Sequence, residues 1–145
     1  MLTTVNSVQG LQAALAGAHS GDTIQLATGA YGAFMLQNLS FGGAGVTITS
    51  QDPSAQAMLT GLNLSNVAGL TIKNIAMFVN PTKDANAYQI NSSNQITLDH
   101  LNVHGTLNSD AGDDKNGLLI RDSNNITVQN TDFHQLSKGM AVSTT

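Results

Sequence analysis

Leu62-Asn63-Leu64 is followed by the five residues Ser65 to Gly69 and then by Leu70-Thr71-Ile72, and this stretch recurs along the chain. Its later copies are Tyr88-Gln89-Ile90 with Ile96-Thr97-Leu98, and Leu118-Leu119-Ile120 with Ile126-Thr127-Val128. Again five residues join each pair, Asn91 to Gln95 and Arg121 to Asn125. Val46-Thr47-Ile48 is an earlier copy of the second half. The second halves start 24, 26 and 30 residues apart, a period at which one turn of chain buries little alone and must stack on its neighbours. Alternation within each triplet turns Leu, Ile and Val inward and sends Asn63, Gln89 and the threonines outward. A bend of constant length implies one constant corner. After a further bend comes a third apolar pair: Ile75 and Met77, Leu101 and Val103, Thr131 and Phe133. Three short strands per rung predict an all-β chain, a right-handed parallel β-helix.

The beginning of the chain reads differently. Ser7 can cap a helix whose apolar face runs Val8, Leu11, Leu15 and Ala18, with Gly17 and Gly21 to stop it. Laid across the open end of the solenoid, such a helix covers strand edges that otherwise recruit other chains. The expected organisation is one domain, with an N-terminal cap helix and lead-in over residues 1–21 and β-helix rungs over 22–145. Gly21-Asp22-Thr23-Ile24-Gln25-Leu26 and then Thr28-Gly29-Ala30-Tyr31 supply the first rung.

This opening resembles that of the pectate-lyase-like β-helix superfamily, most of all the alginate lyase and chondroitinase B family of polysaccharide lyases. There an amphipathic helix leads into a Gly-Asp-Thr-Ile-x-Leu strand and a Gly-x-Tyr turn. The resemblance implies the cap, the rungs and a polysaccharide as ligand. It also implies a lysine and an arginine on one sheet, with calcium held by acidic residues, often glutamate. This chain has no glutamate, and its one close pair of Lys and Arg is Lys115 with Arg121. Lys115 falls in an irregular loop and Arg121 begins the constant bend, so the family's roles are not carried onto them. The resemblance therefore implies an active site several rungs further along a longer chain. Met140-Ala141-Val142 repeats the position of Leu118-Leu119-Ile120, so a new rung starts there. We expect the Met140–Thr145 end to meet further β-helix rungs or another protein chain.

Composition narrows the function classes. Of 145 residues only 10% are charged and 4% aromatic, cysteine is absent, and the net charge is −4. No thiolate metal site or disulfide framework is available. The five basic residues, Lys73, Lys83, Lys115, Arg121 and Lys138, are scattered, which argues against nucleic acid, because phosphate binding needs clustered cations. No apolar run approaches the roughly 18 residues of a membrane span, and no standard signal peptide opens the chain. Extracellular, cell-surface and virus-particle locations fit an exported or assembled β-helix.

Three features could carry chemistry. The loop Leu107 to Gly117 is the longest departure from the repeat, and Asn80 to Asn86 enters at the same point one rung earlier. Inserted loops often form the binding face of a solenoid, which makes Asp84, Asp110, Asp113 and Asp114 the expected ligand-facing corner. Asp110, Asp113 and Asp114 could supply oxygen ligands to calcium, although the spacing matches no EF-hand and a solvated turn is the simpler expectation. Second, His104 follows Val103 as His134 follows Phe133, and the 30-residue separation equals the local repeat. The two histidines should sit one rung apart, with Asn102 and Asp132 in the same register. Together with Asp132 they could hold zinc or act as acid and base, although a repeat also places like residues side by side by default. His100 matches Asn74 and Asn130, a ladder at a bend. Third, Thr47, Thr71, Thr97 and Thr127 form an outward column, for which hydroxyl pairing and β propensity suffice. For sugar stacking the tyrosines Tyr31 and Tyr88 are the candidates, with Tyr88 expected to point inward.

Two functions of different class follow. One is the N-terminal section of a polysaccharide-processing, lyase- or epimerase-like, or glycan-binding β-helix protein. The other is a non-catalytic structural module of a virion spike, decoration protein or bacterial surface protein.

Overall fold

The computed structural model describes residues 2–31, 33–41, 45–52, 54–78, 88–104, 116–134 and 138–143. It is a parallel β-helix in which three columns of strands stack rung on rung. The first column holds β3 (Ala33–Ser40), the start of β6 (Gly61–Lys73), β8 (Tyr88–Asn91), β11 (Asn116–Arg121) and β14 (Lys138–Ser143). The second holds β1 (Leu2–Val5), β2 (Thr23–Leu26), β4 (Val46–Ser50), the end of β6, β9 (Asn94–Asp99) and β12 (Asn124–Gln129). The third holds β5 (Ala57–Leu59), β7 (Ile75–Phe78), β10 (Asn102–His104) and β13 (Asp132–His134). Because β6 runs unbroken through its corner, the first two columns form one ten-stranded sheet, and the third is a separate four-stranded sheet.

The register is the one the repeat demands. Leu64 pairs with Ile90 and Ile90 with Ile120, while Ile72 pairs with Leu98 and Leu98 with Val128. Leu64 and Ile90 are wholly enclosed. Burying each such side chain is worth about 1.5–3 kcal/mol, so stacked columns supply the cohesion that a single rung lacks. Two further strands join this frame. β1 lies beside β2, with Thr3 opposite Ile24 and Val5 opposite Leu26, and Phe34-Met35-Leu36 in β3 is a further copy of the first-column triplet, opposite Leu62-Asn63-Leu64. The helix α1 (Val8–Ala16) closes that end: the Gly10 N–H donates to Ser7 Oγ at 3.0 Å, Leu11 and Leu15 are buried, and Gly17 terminates it.

Left-handed residues turn the corners. Asn38, Asn66, Ser92 and Asp122 open the corner between the first two columns with φ of 48 to 57°, and Gly45, Gly69, Gln95 and Asn125 close it, also at positive φ. At Gly45 the backbone leaves no alternative, since φ is +77° and a Cβ there would stand 2.5 Å from the Gly69 carbonyl oxygen. Inside this corner Ser93, 3% exposed, accepts from the Val67 N–H at 3.3 Å and donates to the Asn91 carbonyl at 2.9 Å. Ser123 repeats the device one rung on, taking the Ser93 N–H at 3.1 Å. Corner amides that face no strand ladder are satisfied by the next rung's hydroxyl.

Both tyrosines are interior latches, which corrects the expectation that Tyr31 could stack on sugars. Tyr31 is 8% exposed and its hydroxyl faces the Ala27 and Val5 carbonyls at 2.5 and 3.2 Å. Tyr88 is 0% exposed and its hydroxyl faces the Leu59 and Phe78 carbonyls at 2.7 and 2.6 Å. In each case the ring fills the core while one hydroxyl serves carbonyls from consecutive rungs.

Candidate functional site

The outward side of the ten-stranded sheet carries chemistry in straight lines. Thr23, Thr47, Thr71, Thr97 and Thr127 occupy one register column, so the threonine rank begins one rung earlier than the four-copy motif indicates. Beside it runs Gln25, Thr49, Lys73, Asp99 and Gln129, of which Thr49 is buried. On the first column the outward residues are Met35, Asn63 and Gln89, with Met35 half exposed. Adjacent members of a column are about 4.8 Å apart. Arg121 is exposed at the end of β11, in the column of Ser65 and Asn91. It therefore lies on a different column from Lys73.

The corner between the second and third columns joins two titratable groups. Asn74, His100 and Asn130 all have φ of 50 to 56°, as their matched spacing requires, since Asn and His tolerate the left-handed region better than most residues. His100 does not bond along the ladder as an amide does. Its Nδ1 lies 2.7 Å from Asp99 Oδ1, with the imidazole 59% exposed and the carboxylate 20%. Asn130 Nδ2 also donates to Asp99 Oδ1, at 3.1 Å. The Asn130 amide, and after it the neighbouring imidazole, hold the Asp99 carboxyl below its usual range. Asp99 thus orients His100 through Nδ1 on a largely exposed imidazole.

On the third sheet the register pairs Asn102 with Asp132 and His104 with His134, as the spacing predicts. Val103 between them is buried, so Asn102 and His104 face outward. The side chain of His134 lies outside the described residues. Phe78 stands opposite His104 on the preceding rung, with ring centroids 5.6 Å apart and planes tilted by 51°. The sequence reading missed Phe78, although its 26-residue distance from His104 equals the local repeat. Asn102 Oδ1 is shut off from solvent and has no hydrogen-bond partner; the same holds for Asn63 Oδ1. Asp84, Asp110, Asp113, Asp114 and Lys115 lie outside the described residues. Among the described residues no three His or Asp side chains converge on a point where a metal could sit. No described helix is long and apolar enough to cross a membrane.

No protein-family model matches the sequence, and none of the curated proteins matches it. Among solved structures, the chain is similar to the crystal structure of an alginate lyase from Paenibacillus sp. str. FPU-7, at 16% identity and a TM-score of 0.45. The match covers 91% of this chain and 66% of that one. A likeness at this identity concerns fold alone, and the parallel β-helix rests on the strand register itself.

Proposed function

We propose that these residues form a glycan-binding section of a polysaccharide-processing β-helix protein of the lyase or epimerase kind, acting outside the cell or on a virus particle. The observation that carries the reading is the outward side of the ten-stranded sheet. There threonine hydroxyls and glutamine amides recur along straight columns, with the single charges of Lys73 and Asp99 opposite each other in one of them. A polymer of hydroxylated rings can exchange its water hydrogen bonds for protein ones at successive rungs of such a face. The resemblance of the opening sequence supports a polysaccharide as that polymer. Within the same reading, Asp84, Asp110, Asp113 and Asp114, all outside the described residues, are the proposed ligand-facing residues, with Asp110, Asp113 and Asp114 as the proposed calcium donors, since carboxylates are the donors a hard cation prefers.

Calorimetry with alginate, chondroitin, pectate and neutral oligosaccharides tests the reading, with ultraviolet absorbance following any unsaturated product. Saturable binding that weakens in Lys73→Ala or Thr97→Val is the expected result. The structural-module reading draws on the separation of Lys73 and Arg121 into different columns, which leaves no basic cluster among the described side chains. It expects no heat with any polysaccharide.

A further inference from the structure

The outward side of the third sheet brings ring and polar side chains together. Its described residues are Met58, Ala76, Phe78, Asn102, His104 and Asp132, with no lysine or arginine among them. Phe78 and His104 are both half-buried, with ring centroids 5.6 Å apart and planes tilted by 51°, so two rings stand side by side on this face. Asn102 lies two residues before His104 on the same strand face, and Asp132 lies one rung beyond Asn102, exposed.

We propose that this surface is an anchoring subsite for a neutral pyranose, with Phe78 and His104 as the platform and Asn102 and Asp132 as the hydroxyl partners. The proposal rests on the glycan reading above and adds to it a location and a sugar class. Ring chemistry and two neighbouring polar side chains carry it. The axial C–H bonds on one side of a pyranose are weakly positive and complement the negative face of an aromatic ring. Asn102 Oδ1 accepts nothing where it stands, so turning its amide toward a ligand hydroxyl gives up no hydrogen bond at that oxygen and satisfies one. Asp132 adds a carboxylate able to accept from further hydroxyls. The same carboxylate, on a face without described cations, repels a uronate. The subsite therefore selects the neutral sugars of a mixed or neighbouring polymer, while an acidic one is left to Lys73, which stands opposite Asp99 in its own column.

Isothermal calorimetry of the full chain with cellohexaose and mannohexaose as neutral probes, and oligoguluronate as the acidic one, tests this. Neutral binding should fall about tenfold in Phe78→Ala and severalfold in Asn102→Ala and Asp132→Asn, with oligoguluronate binding unchanged in all three. Phe78→Leu keeps the bulk and removes the ring face, and should lose affinity as Phe78→Ala does even if the alanine variant folds poorly. Neutral binding that is indifferent to Phe78→Leu and Asn102→Ala overturns the proposal. So does a wild-type chain that binds oligoguluronate and neither neutral probe, a result that leaves the broader glycan reading standing. A chain that binds none of the probes overturns both.

Discussion

Replacing Tyr88 by phenylalanine removes one oxygen from the interior and leaves the ring in place. The Tyr88 hydroxyl stands 2.7 Å from the Leu59 carbonyl and 2.6 Å from that of Phe78, and the side chain is 0% exposed. Without it one donated hydrogen bond disappears, a net loss of about 1 kcal/mol, and the two carbonyls lose the group they share, for a total near 2 kcal/mol. For a chain of this size that lowers Tm by roughly 6 °C. A second signature separates this cause from a general loosening. Burial pushes the Tyr88 phenol well above its ordinary value, so the folded state keeps its proton where the unfolded chain releases one. The stability so contributed is fully present below about pH 10 and drains away above it, by about 1.4 kcal/mol per pH unit. Thermal and urea denaturation between neutral and alkaline pH should show this slope in the wild type and a shallower one in Tyr88→Phe. Tyr31, whose phenol burial also raises, contributes to the slope that remains. An unchanged Tm at neutral pH together with an unchanged alkaline slope would refute the latch.

Further expectations follow from the corners, the core and the acid limb. Gly45→Ala places a Cβ 2.5 Å from a backbone oxygen at φ +77°, and should destabilise by more than the 1–2 kcal/mol that the left-handed conformation alone costs, roughly; a melt matching the wild type would contradict the close approach. Gln95→Gly puts glycine where Gly45 and Gly69 stand in earlier rungs, at φ +56°, and should raise stability by up to about 1 kcal/mol in urea titrations. Ile90→Asp buries a charge in a fully enclosed column, at a cost of several kcal/mol, roughly, and circular dichroism should show the central rungs lost. The Asp99 carboxyl is held below its usual range, so its contribution is complete above the ordinary carboxylate value and fades as pH falls through the folded one. Asp99→Asn should flatten that limb of the acid denaturation curve.

The repeat made the interior legible because a stacked rung repeats its inward residues. Leu64, Ile90 and Ile120 were traceable by spacing alone, as was the alignment of Asn74, His100 and Asn130 at one bend, whose left-handed φ the structure adds. Elements that depart from the repeat were hidden. β1 presents Leu2 outward at 60% exposure and Thr3 inward, inverting the pattern that marks the other strands. Phe34-Met35-Leu36 is separated from Val46 by nine residues instead of five, so the constant corner that betrays its later copies is missing. On the candidate site, spacing gave the pairing of His104 with His134 and of Asn102 with Asp132. It gave neither the Phe78 contact nor the bond from His100 to Asp99, because both depend on side-chain rotation rather than register. Tyr31 was misjudged for the same reason, since a turn residue's burial depends on what lies beneath it.

Register is the claim on which every column and site depends, and the absence of cysteine allows it to be read chemically. Thr71→Cys with Thr97→Cys joins positions directly opposite on adjacent rungs, about 4.8 Å apart and within the roughly 4.4–6.8 Å that a disulfide spans. Thr71→Cys with Thr127→Cys lies two rungs apart, beyond the limit of about 7 Å. Mild oxidation followed by mass spectrometry of the intact chain should show the first pair closed within the monomer and the second pair open. Equal closure of both pairs, or closure of the second alone, would contradict the parallel in-register β-helix.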